Sequence, residues 1–395
     1  MSRRSLGSSE VKETLDAQTS ELANGQRQLN QYTIQKVLGR GSFGTVHLGF
    51  NNDSKYYVAI KEFSKSKLRK IQLSKQGGMF GARGRLGRGR GRGGAVAGGT
   101  THSDMPKPSD NPIDLVRGEI AILKKLNHQN VVKLYEVLDD PTQDSLYMVF
   151  ELCSKGAVMD VGLDNDSEPL SESEARRYFQ GMLLGIEYLH EHDIAHRDIQ
   201  PDNLLVSADG TLKIVDFGVS EIFTKTSDKL KKSAGSPAFF APEMCVAQHG
   251  ELSAKAADIW AMGVTLYCLV FGRLPFRGKS IIDLYESIKN DEPPIPDTAD
   301  AALADLLRKI LDKDPQRRAS LDDIRTHIWV NDHGKSPIKS KEQNCVGLVE
   351  EITKEEYDAA VKNVATLFTV LKAASVWKSK ARTGSSGNLH TPDDH

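Results

Sequence analysis

Cysteine is scarce in this chain: Cys153, Cys245, Cys268 and Cys345 are its four copies, widely scattered. No two form a CxxC pair, which argues against a zinc ribbon or a disulfide framework and for a reducing, cytoplasmic compartment. An apolar N-terminus is also lacking. The opening MSRRSLGSSE has no hydrophobic stretch of the kind a signal peptide needs. Long hydrophobic runs are absent too; AMGVTLYCLVF, 261–271, is too short to cross a bilayer and reads as a buried helix, so no membrane partner is expected. Finally, the chain lacks net charge, at −1 overall, so the whole molecule is not built to sit on a polyanion. What remains is 395 residues with 39% hydrophobic and 27% charged content, the balance of a globular core with polar extensions.

Residues 1–31 are polar and without periodicity, and a flexible tail is expected there. From Tyr32, YTIQKVLGRGSFGTVHLGF alternates around a glycine cluster and KYYVAIKEF is β-branched and aromatic, which predicts strands joined by a glycine turn. The pattern breaks over about 70–108, where GGMFGARGRLGRGRGRGGAVAGG offers too little apolar surface to offset its ordering entropy. That composition predicts a disordered insertion within a domain, since order resumes after it. IDLVRGEIAILKKL then places Ile113, Val116, Ile120 and Leu123 at helical spacing, and VVKLYEVLDD and SLYMVFEL read as two further strands. SESEARRYFQGMLLGIEYLHEH predicts an amphipathic helix with Ser171 and Glu174 as a capping box and Ala175, Tyr178, Phe179, Met182, Leu183, Ile186 and Leu189 as its buried stripe. Helical patterns dominate from there to about Val330. Strands first and helices after predict an α+β protein in two lobes, split near residue 150.

The chemistry-bearing residues are those of phosphoryl transfer, a reaction that needs positioning and charge neutralisation more than covalent participation. Gly39, Gly41 and Gly44, followed by Val46, give GxGxxGxV, a backbone able to close over phosphates without a Cβ in the way. Lys61 in VAIK follows on the next strand, and Glu119 on the next helix can hold that lysine against the phosphates. HRD at 196–198 supplies an acid, Asp198, able to accept a hydroxyl proton, and Asn203 and the Asp216 of DFG supply metal ligands. APE at 241–243 closes the segment. A lone lysine or glycine triplet is commonly a solvated strand residue or a tight turn. In this order and spacing, chance is not a workable account.

The set resembles a eukaryotic protein kinase domain over about 32–330, with a β-rich N-lobe and a mainly helical C-lobe. The resemblance implies ATP and Mg2+ as cofactors and other proteins as substrates. It implies a nucleotide pocket of Leu38, Gly39, Gly41, Ser42, Gly44, Val46, Ala59, Lys61, Phe150 as gatekeeper, Glu151 and Cys153 in the hinge, and Leu205 beneath. It further implies that Asp258 of DIWAMG supports the catalytic loop and that Arg318 pairs with Glu243. GSPAFFAPE resembles the serine/threonine class. LYMVFEL, GAVMD and FGVS resemble, more narrowly, the calcium/calmodulin-dependent protein kinase kinases. Members of that subfamily carry an Arg-rich insertion after the strand lysine, phosphorylate the activation loops of other kinases and have a calmodulin-binding helix in a C-terminal regulatory segment. The low proline of this insertion departs from the animal members.

Three features leave alternatives open. The glycine–arginine tract fits a flexible regulator, an inert spacer or an RNA contact, although a single aromatic, Phe80, disfavours nucleic acid. Within the tail, 331–395, the stretch about 353–380 predicts a basic amphipathic helix, capped by Thr353 and Glu356, with Val364 and Trp377 as anchors. Calmodulin binding over 353–382, autoinhibition, membrane contact and plain packing all fit it. Finally, Gln200 stands where a serine/threonine kinase has lysine, so a pseudokinase that serves as a nucleotide-binding scaffold remains the alternative to an active enzyme.

Overall fold

The structure, a computed structural model, describes residues 11–40, 44–67, 112–218, 220–222, 229–230, 235–246 and 252–346. The glycine–arginine insertion, Gly41, Ser42 and the tail helix lie outside the described residues.

The two-lobed α+β arrangement expected from the element order is present. The first lobe is an eight-stranded sheet built from β1 (Lys12–Thr14), β2 (Thr19–Glu21), β3 (Arg27–Leu29), β4 (Tyr32–Arg40), β5 (Gly44–Asn51), β6 (Tyr56–Ser64), β7 (Leu134–Asp139) and β8 (Ser145–Glu151). Its order is β1-β7-β8-β6-β5-β4-β3-β2, antiparallel throughout except for the parallel β1–β7 edge pair. Helix α1 (Pro112–Lys125) returns to this sheet and buries Val116, Ile120 and Leu123, three of the four residues picked out by spacing.

A flexible tail is expected over residues 1–31, but from Val11 onward the chain is built into the sheet. β1, β2 and β3 extend the sheet at both edges, with Ala17 and Leu29 buried. The segment lacks periodicity because its strands are three residues long and are held by polar groups rather than by an apolar face. Buried Glu136 on β7 accepts from Thr14 Oγ1, Gln31 Nε2 and Tyr32 Oη at 2.6–2.8 Å and pairs with Lys12.

The second lobe begins after Glu151. Its main elements include β9 (Gly156–Ala157), α2 (Glu172–Glu191), β10 (Ile194–Ala195), β11 (Leu204–Val206), β12 (Leu212–Ile214), α3 (Ala254–Phe271), α4 (Ile281–Asn290), α5 (Ala301–Ile310), α6 (Leu321–Thr326) and α7 (Lys341–Asn344). The stripe predicted on α2 is buried, with Tyr178 partly so. Only half of its expected capping box forms. Ser171 accepts from the Glu174 amide, but the Glu174 carboxylate takes the Ser171 hydroxyl, at 2.7 Å, instead of the cap amide. Helix α3 is apolar enough to cross a membrane by composition, yet 78% of it is buried against α2 and α5, the core-helix role read from its sequence. The chain continues to pack on this lobe past Val330. Asn344 on α7 donates to Glu187 Oε2 and to the Leu184 carbonyl on α2, and Cys345 is buried beside it.

Candidate active site

Lys61 lies on β6, paired across the sheet with Val46 on β5 and Met148 on β8. Its Nζ is 2.8 Å from Glu119 Oε1 on α1 and 3.3 Å from Asp216 Oδ1 at the mouth of the second lobe. Lys61 and Glu119, 58 positions apart in sequence, therefore meet in one contact. Burial pushes the Lys61 ammonium down, but the charges of Glu119 and Asp216 outweigh it and hold the amine protonated. Burial likewise pushes Asp216 up, and Lys61 overcomes that so that its carboxylate stays ionised. A cation is thus fixed at the lobe boundary with a half-exposed carboxylate beside it.

The loop from His196 to Asn203 is held from below by Asp258 on α3. Its carboxylate accepts the His196 amide at 2.9 Å and the Arg197 amide at 2.8 Å, and it hydrogen-bonds His190 Nε2 at 2.9 Å. Asp258 is fully buried, a position that demands satisfied oxygens, and these contacts supply them. His190 was not picked out from the sequence; it lies on α2 with no motif to mark it. Arg197 and Asp216 both adopt left-handed backbone, φ 69° and 62°, which for non-glycine residues marks strain retained by the surrounding structure.

Asp198 is ringed by neutral donors. Gln200 Nε2 donates to its Oδ2 at 3.0 Å, Asn203 Nδ2 to the same oxygen at 2.9 Å, and the Ser236 amide to Oδ1 at 2.9 Å. The Ser236 contact escaped sequence reasoning because 38 residues separate the partners. It depends on Gly235, at φ 106°, where a Cβ would stand 2.3 Å from the Arg197 carbonyl. Asn203 Nδ2 also donates to the Asp198 carbonyl, which identifies its Oδ1 as the atom available to a cation. Glu243 meets Arg318 through two bonds of 2.8 and 2.9 Å, the pairing expected from the family resemblance.

The residues expected to line a nucleotide pocket stand on the strands around the same boundary. Leu38 and Gly39 end β4, Val46 is on β5, and Ala59 on β6 pairs with Phe150 on β8. Gly39 has open space where a Cβ would be, whereas Gly44 is required by strand packing, since a Cβ there would meet the Glu62 carbonyl at 2.2 Å. Leu205 is on β11, paired with Ala157. The Glu151 side chain accepts from Lys213 Nζ and the Lys133 amide at 2.8 Å, so it ties the hinge to β12 and leaves only its backbone for a base. Cys153 is buried, and burial pushes its thiol up to about 12, which makes it a packing residue rather than a nucleophile.

These residues fit ATP with a divalent metal: an anchored cation for the phosphates, and an amide oxygen and an ionised carboxylate for the metal. The chain belongs to the protein kinase family, whose protein kinase domain matches over residues 87–330. Within that family it is similar to serine/threonine protein kinases, calcium/calmodulin-dependent protein kinase kinases among them. It is 40% identical over 93% of its length to the calcium/calmodulin-dependent protein kinase kinase cmkC of Emericella nidulans, of which it covers 72%. A calcium/calmodulin-dependent protein kinase kinase of Caenorhabditis elegans is 40% identical over 87% of this chain, which spans 60% of that relative. The serine/threonine-protein kinase GRIK2 of Arabidopsis thaliana is 37% identical over 81% of this chain and 70% of its own length.

Proposed function

We propose that this enzyme transfers the γ-phosphate of Mg2+-ATP to the activation segments of other protein kinases. The reading is carried by one observation, the linked set Lys61–Glu119–Asp216 facing Asp198 and Asn203, in a chain similar to proteins named as kinase kinases. In this reading Lys61 binds the α- and β-phosphates and Glu119 holds it in place. Asn203 Oδ1 and the Asp216 carboxylate would hold magnesium, which would supply positive charge against the phosphates. Asp198 accepts the proton of the substrate serine or threonine hydroxyl. Ser236 and Asn203 orient its carboxylate for that transfer. Gln200 preserves a hydrogen bond to Asp198 but brings no positive charge, so turnover is slow rather than absent. Calmodulin binding by 353–382 regulates the enzyme, in keeping with its basic, Trp377-anchored sequence.

The test is phosphate incorporation from Mg2+-ATP into a catalytically dead kinase bearing an intact activation loop, with its loop threonine changed to alanine as the control. Transfer that is lost with the threonine supports the reading. Nucleotide binding with no transfer to any protein hands the argument to a scaffold that binds nucleotide without turning it over.

A further inference from the structure

Residues 11–29 make two polar contacts that converge on the two elements carrying the Lys61–Glu119 pair. On one side, Val11 packs into the core cluster that contains α1, and Glu13 on β1 pairs with Lys124 in the last turn of that helix. Lys124 follows Glu119 by five residues on the same helix. On the other side, Arg27 on β3 forks onto the carboxylate of Glu62, with bonds of 3.1 and 2.8 Å. Glu62 is the residue after Lys61, so their side chains project to opposite faces of β6. Glu62 is further held by His47 at 3.0 Å and Ser145 at 2.7 Å. Burial pushes the Glu62 carboxyl up, and the hydrogen bonds of His47, Arg27 and Ser145 outweigh that and hold it below the ordinary range. Between the two contacts the segment is fixed to β7 by the bonds around Glu136 and by the Ala17 and Thr19 amides, which donate to Asp139 and Asp140. One continuous segment therefore grips the strand of Lys61 at one end and the helix of Glu119 at the other.

We propose that residues 11–29 brace the Lys61–Glu119 ion pair, with Glu13 and Arg27 as positioning residues that set the spacing between β6 and α1. The proposal rests on the reading of that pair as the phosphate anchor. A charge change at residue 13 is thereby transmitted to ATP through α1, without any contact to nucleotide.

The experiment is a charge swap in the full chain: Glu13→Lys, Lys124→Glu and the double variant, with Arg27→Ala alongside. kcat, KM for ATP, affinity for a fluorescent ATP analogue and melting temperature are measured for each. The single variants should lose about threefold to fivefold in kcat/KM for ATP, the size of one partly exposed ion pair. The double variant should recover to within about twofold of the parent. In a Glu119→Gln background Glu13→Lys should no longer change analogue affinity, because the pair it acts through is gone. Lowered melting temperature with unchanged kcat/KM, or no recovery in the double variant, overturns the proposal and leaves the segment as part of the scaffold. If Glu13→Lys does not fold, Glu13→Gln is judged by the same comparison. Lys61→Met is the separate control: wild-type analogue affinity there would remove the phosphate-anchor reading, and the brace with it, whereas a weakened Lys61→Met beside unaffected Glu13 variants removes the brace alone.

Discussion

Replacing Gln200 by lysine is the perturbation that tests the catalytic loop most directly. Gln200 adopts extended backbone, φ −161° and ψ 161°, just before the turn Pro201–Asn203, and its side-chain amide already reaches Asp198 Oδ2 at 3.0 Å. A lysine on the same backbone reaches the same oxygen and extends toward the transferring phosphate. Two unit charges about 4 Å apart interact by roughly 4 kcal/mol at the effective dielectric of a protein surface. Removing one preorganised electrostatic contact typically costs about 3–4 kcal/mol, or roughly 10²–10³ in rate. Gln200 keeps the hydrogen bond and loses only the charge, so part of that range is already realised in the present site. Gln200→Lys should therefore raise kcat by at least about tenfold, with little change in ATP affinity, because the added charge acts where charge develops in transfer. The assay is single-turnover phosphate transfer at saturating Mg2+-ATP, paired with analogue binding. Equal kcat in the two proteins would refute the reasoning, since position 200 would then not limit transfer. A gain confined to KM would also refute it, by placing the lysine in ground-state binding.

Asp198→Asn should abolish transfer and spare nucleotide binding, while Lys61→Met should impair both; radiolabelled transfer and analogue titration separate them, and wild-type transfer by Asp198→Asn would remove Asp198 as the base. Arg318→Ala leaves Glu243 unpaired in a half-buried site and frees the Ala256 carbonyl, so denaturant unfolding should show a loss of about 3–5 kcal/mol. Stability should also fall with acid. Burial pushes Asp258 and Glu62 up, but the His190 bond to Asp258 and the His47 and Arg27 bonds to Glu62 hold both below the ordinary range. A depressed folded-state value means that this stabilisation is complete above the unfolded pKa of about 4 and is lost progressively as pH falls from there through the folded value. A melting temperature unchanged between pH 6 and pH 3 would contradict that. A peptide covering 353–382 should bind calcium-loaded calmodulin, and Trp377→Ala should weaken it by more than about 1 kcal/mol in calorimetry; no heat at micromolar concentration would remove calmodulin from the account.

Much of the catalytic centre was legible from residue order. Lys61, Glu119, Asp198, Asn203 and Asp216 announce themselves because phosphoryl transfer needs those side chains in that sequence, and α2 and α3 announce themselves because helix periodicity is a local property of the chain. What only tertiary structure decided has few local marks. The role of Ser236 depends on a loop that returns across 38 residues onto Asp198, and that of His190 on the packing of α2 against α3. The glycines divide in the same way: sequence marks the triplet, but only the approach of the β6 backbone shows that Gly44 serves the sheet. Residues 11–31 are the clearest case. Strands of three residues are too short to carry a period, and they are held by Glu136, Glu62 and Lys124, each of which reads on its own as a solvated charge. Hydrophobic patterning is written into neighbouring residues and survives in sequence, whereas a buried polar network draws its partners from distant segments and exists only once the sheet has closed around them.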